Sequence, residues 1–92
     1  MRRLAATFEH TEKTGFFHVP VHPESEVAGK MLSELRLRKR FHVSIVSLRR
    51  ESGEALLTPD GTTVLMPHDM VLLSGTREDV SAVQRLFGKK QE

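Results

Sequence analysis

Val43-Ser44-Ile45-Val46-Ser47-Leu48 is the stretch on which the fold turns. Its apolar residues Val43, Ile45, Val46 and Leu48 fall on both sides of a two-residue repeat, so it predicts a strand near the centre of a sheet. The residues after it support a hairpin. Glu51-Ser52-Gly53-Glu54 is a turn in which Gly53 can take positive φ, and Ala55 to Leu57 is a short returning strand.

Working outward, Pro59-Asp60-Gly61 is a second turn, Val64-Leu65 is brief, and Met70 to Leu73 is an apolar strand entered from Pro67-His68-Asp69. Towards the N-terminus, Phe16 to Val21 alternates, with Phe17, Val19 and Val21 on one side. Pro20 assigns this strand to an edge or a strand end. Ser25 is placed to cap a helix in which Val27, Met31, Leu32 and Leu35 recur at helical spacing, with Gly29 inside it. Thr76 is placed to cap the last helix, where Glu78 and Asp79 occupy the first turn, Val80, Val83, Leu86 and Phe87 form the apolar stripe, and Gly88 ends it. The order is strand, helix, strands, helix. It predicts an α+β domain, a small antiparallel sheet with two helices packed on one face. Residues 1–15 lack a period and read as a tail or linker, leaving 16–92 as the domain, although Leu4, Ala5 and Phe8 could dock as one helical turn.

Ninety-two residues make one domain with a thin core, and the absence of cysteine excludes disulfides and thiolate metal sites. Self-association is then the remaining common source of stability, so a homodimer is expected. No apolar run approaches the roughly 20 residues of a membrane span, and a cytoplasmic location is expected.

Charge is unevenly placed. Arg36, Arg38, Lys39, Arg40, Arg49 and Arg50 fall within fifteen residues that hold no acid, which favours an anionic partner. Catalysis finds no support: there is no nucleophile elbow, phosphate loop, dinucleotide fingerprint or paired-histidine zinc helix, and the chain is expected not to be an enzyme. His18 and His22 are four apart, but on a strand that spans about 13 Å, too far to share one ion. No metal is expected. The basic stretch also admits a small nucleic-acid-binding domain as the alternative, opposed by the low aromatic content and the acidic C-terminal half.

From Phe16 to Phe87 the order of Val19-Pro20-Val21, Gly29-Lys30, Leu32-Ser33-Glu34-Leu35, Val43-Ser44-Ile45-Val46, Arg49-Arg50, Pro59-Asp60, Thr63-Val64-Leu65, Asp69 and Leu72-Leu73-Ser74-Gly75 resembles the RCK C-terminal, or TrkA-C, family. The resemblance implies a cytoplasmic, dimeric regulatory domain of a potassium channel, potassium transporter or cation/proton antiporter, partnered with a membrane channel or antiporter subunit. Some members bind cyclic di-AMP across the dimer two-fold through an acidic residue, an arginine two positions later and a polar residue in the following strand. Arg38 and Ser44 stand at the last two positions, while Arg36 stands where the acid is expected. The implied ligand site is therefore Arg38 with Ser44, with Arg36 and Arg40 adding field, and the implied ligand is a small anionic nucleotide such as cyclic di-AMP. Lys39, Arg49 and Arg50 read equally well as solvated charge. His42 and His68 stand where the family carries glycine.

Overall fold

The computed structural model describes residues 14–90. Four strands form one antiparallel sheet: β1 (Thr14–Pro20), β2 (Ser44–Arg49), β3 (Ala55–Leu57) and β4 (Met70–Thr76), in the order β1-β4-β2-β3. Three helices accompany them: α1 (Leu32–Leu35), α2 (Leu37–Phe41) and α3 (Arg77–Phe87). The expected α+β architecture is present, with β2 interior and β1 at an edge, where Pro20 has no inner ladder to break.

Register fixes the two faces. Val19 pairs with Val71 and Leu48 with Val71, so one face of the sheet carries an apolar row of three strands. These side chains, together with Leu35, Leu37, Val80, Val83 and Phe87 from the helices, form one buried core. α3 buries the stripe read from its spacing, and Thr76 caps it by accepting the Asp79 N–H at 3.1 Å. The outer face stays open: Phe16 and Leu57 are 71% and 76% exposed. A bulge between Ile45 and Ser47 shifts the β2–β4 register, which accounts for the break in alternation inside the strand.

Two expectations shift. β1 begins at Thr14 rather than Phe16, taking in the last two residues assigned to the tail, and the rest of the 1–15 stretch, with Leu4, Ala5 and Phe8, lies outside the described residues. The helix expected from Val27 to Leu35 is only Leu32–Leu35. Gly29 stands at φ 89, a left-handed conformation that ends any helix running through it. Its N–H goes to the Leu65 carbonyl at 2.7 Å, and Leu65 returns its own N–H to Lys30 at 2.9 Å. Pairing with residues 61–65 thus takes the backbone groups a helix would need. Ser25 consequently caps no helix; its hydroxyl is buried with no hydrogen-bond partner among the described residues, while the Glu34 carboxylate accepts the Met31 N–H at 2.7 Å at the true helix start.

Candidate anion-binding cleft

Leu37 is buried in the core, and this anchors α2 so that Arg38 and Lys39 remain exposed. The helix is bounded at both ends by left-handed residues, Arg36 at φ 49 and His42 at φ 61. These conformations cost an L-residue free energy that a hydrogen bond at each joint helps to offset: Arg36 N–H to Leu32 at 3.3 Å and His42 N–H to Arg38 at 3.0 Å. His42 therefore takes the conformation for which the family pattern carries glycine, and His68, at φ 70, does the same before β4.

Beside α2 lies an open cleft of about 520 Å³. One wall is Leu32, Ser33 and the segment from Arg36 to Lys39; the floor is Val43, Ser44 and Ile45; the other wall is Pro59, Asp60 and Gly61. Arg38 reaches across to the strand, its Nη2 donating to Ser44 Oγ at 3.4 Å. That bond is long and exposed, so an oxyanion that accepts both groups can replace it.

The sequence-derived residues divide three to one. Arg38, Ser44 and Arg36 line the cleft; Arg40 does not. Arg40 folds back, with Nη1 donating to the Leu35 carbonyl at 3.2 Å and its guanidinium 4.9 Å above the Phe41 ring. Lys39, read as solvated, lines the cleft. Arg50, read the same way, is a structural cation: it donates to the Val64 carbonyl at 2.9 Å and pairs with Asp69, whose carboxylate is wholly buried and also accepts the Met66 N–H at 2.8 Å.

Asp60 is the residue that the sequence reading placed only in a turn. Its Oδ1 accepts from Thr62 Oγ1 at 2.7 Å, the Thr62 N–H at 3.0 Å and Thr63 Oγ1 at 3.5 Å. The Thr62 hydroxyl, followed by the Thr62 N–H, holds its carboxyl below the usual aspartate value. The loop is sewn to the opposite wall by the Ser33 N–H to Gly61 carbonyl bond at 3.0 Å. A Cβ on Gly61 would stand 3.2 Å from that of Ser33, so the two walls approach as closely as they do because residue 61 has no side chain.

None of the histidines among the described residues lines the cleft. His18 is on β1, and His22 Nδ1 accepts the Glu24 N–H at 2.9 Å. Among the described residues no group of three or more metal-ligating side chains converges, and no helix is long and apolar enough to cross a membrane.

Comparison with known proteins gives consistent results. The chain is 34% identical over 67 residues to "Putative transport protein" of Glaesserella parasuis serovar 5 (strain SH0165), covering 73% of this chain and 12% of that protein. It is 29% identical over 72 residues to "Probable potassium channel protein 2" of Methanocaldococcus jannaschii, covering 78% of this chain and 21% of that one. The chain thus spans a small part of both relatives. Among solved structures it shares the fold of the RCK_C domain dimer of S. agalactiae BusR in complex with c-di-AMP, with a TM-score of 0.72 and 22% identity over 78% of this chain and 88% of that one. The TrkA-C domain pattern itself matches residues 16–88, from β1 to the end of α3, and the chain therefore belongs to the TrkA-C domain family.

Proposed function

We propose that this chain is the ligand-sensing regulatory domain of a potassium or cation/proton transport system. It acts as a homodimer on the cytoplasmic side of a membrane channel or antiporter subunit, and its cleft takes a small anionic nucleotide such as cyclic di-AMP. The observation that carries the reading is the meeting of Arg38 and Ser44 on one cleft from separate elements, joined only by a long hydrogen bond. A guanidinium can bind a phosphate with two parallel N–H donors, and Arg36 and Lys39 add positive field on the same wall. The names of the two relatives supply the transport context, and the BusR dimer supplies a bound cyclic dinucleotide on the same fold.

A two-fold ligand between two chains meets two copies of Arg38, so its binding links the two clefts. The ligand shifts the dimer between geometries by its difference in affinity for them, and the transporter responds to that shift. The nucleic-acid alternative is weaker on this geometry, because Arg50 is engaged by the buried Asp69 and Arg40 is folded back onto Leu35 and Phe41, which breaks up the basic stretch.

Calorimetry with cyclic di-AMP on wild type and Arg38→Ala tests the proposal. The expected result is one ligand per two chains, with affinity lower by at least about tenfold in the variant, the effect of losing a charge-assisted hydrogen-bonded contact. Undiminished binding by the variant removes Arg38 from the site.

A further inference from the structure

We propose that Asp60 sets the specificity of this cleft by accepting an N–H from the exocyclic amine of an adenine base, so that one wall holds phosphate and the other reads the base. The inference rests on the nucleotide reading above and adds to it a residue and a chemical criterion. Asp60 is the one acid among the described residues that line the cleft, and it faces a wall carrying Arg36, Arg38 and Lys39. Among the described residues it makes no salt bridge with any of the three.

Its two oxygens have different duties. Oδ1 is occupied by Thr62 and Thr63, and Oδ2 has no partner among the described residues. Because the loop is tied to Ser33 through Gly61, the carboxylate is held in place before a ligand arrives. A fixed negative charge in a cleft for anions weakens the binding of phosphate alone. It is offset only by a ligand that brings a hydrogen-bond donor to the same wall, so the acid rejects anions that lack one. A single free oxygen suits the single-donor contact of an amine. Guanine, whose adjacent N1–H and amino group call for both oxygens of a carboxylate, is served less well. Asp60 is ionised at neutral pH as an exposed aspartate is, and the Thr62 hydroxyl and N–H favour the charged form further.

The test is calorimetry in the presence of EDTA with two probes, cyclic di-AMP and the cyclic dinucleotide of purine riboside, which lacks the 6-amino group. Wild type is expected to prefer cyclic di-AMP by about tenfold or more, the worth of a hydrogen bond to a charged acceptor. Asp60→Asn keeps an Oδ1 for the Thr62 turn but puts an NH₂ donor in place of Oδ2. It should lose most of that preference while binding the amine-free probe at least as well as wild type, and that retained binding shows that the cleft is intact. Thr62→Val, which disturbs the turn and leaves Oδ2 alone, should keep the preference. Wild type without a preference, Asp60→Asn with the preference unchanged, or Thr62→Val losing it as fully as Asp60→Asn would each overturn the assignment. Wild type binding neither probe removes the nucleotide reading itself, and the role of Asp60 with it, a failure visible without any variant.

Discussion

Arg49 and Arg50 differ in their surroundings more than in their chemistry. Arg49 is exposed at the end of β2 and donates to the Gly53 carbonyl at 3.2 Å. Arg50 serves the Val64 carbonyl and the buried Asp69 carboxylate. Removing Arg50 leaves a carboxylate inside the core without its cation, so Arg50→Ala should cost about 3–5 kcal/mol, whereas Arg49→Ala should stay within about 0.5 kcal/mol. Urea denaturation of the two variants checks this, and equal midpoints would refute it. Sequence alone could not separate the pair, because the partner that decides between them lies nineteen residues away across the fold. The left-handed histidines were partly legible: the family pattern marked positions 42 and 68 as glycine sites, and the structure shows the left-handed backbone there at φ 61 and 70.

At the scale of elements, strands were easier to read than the first helix. Alternation survives in a strand because each residue's direction is set by the pleat, and β1, β3 and β4 start within a few residues of where the pattern placed them. The first helix failed on a competition that spacing does not record. Apolar residues at Val27, Met31 and Leu35 fit a helix, yet the backbone of residues 29–33 is engaged by residues 61–65. The cleft shows the same division. Arg38 and Ser44 are six residues apart on adjoining elements and could be found together, while Asp60 reaches them only through a loop whose position depends on backbone hydrogen bonds. α3 was legible to its cap. Thr76→Ala should cost about 1 kcal/mol, a drop of about 4–8 °C in melting temperature for a domain of this size, and Thr76→Ser should recover most of it. A melt unchanged by Thr76→Ala would show that the hydroxyl bond to Asp79 contributes nothing.

For the whole molecule the deciding quantity is how little there is to bury. Thirteen apolar side chains form the buried core of the described residues, and the outer sheet face leaves Phe16 and Leu57 in solvent. A chain this short exposes a large share of its surface, and a second copy is the remedy its composition permits. Sedimentation equilibrium at micromolar concentration should therefore return about twice the 10.4 kDa chain mass, and a clean monomer would refute stable self-association of this chain. The bonds between residues 29–33 and 61–65 bear on where the chain tolerates a change in length. Gly29 with Leu65, Leu65 with Lys30, Leu32 with Thr63 and Ser33 with Gly61 act as a ladder, and one residue gained or lost between Gly61 and Leu65 would put the rungs on one side of it out of step with those on the other. The β2–β3 hairpin is closed by bonds internal to it, Arg50 N–H to Glu54 at 2.7 Å and Gly53 N–H to Arg50 at 2.9 Å. An insertion at Glu51 to Glu54 is therefore expected to lower the melting temperature less than one of the same length within 61–65, and equal melts for the two insertion variants would refute this.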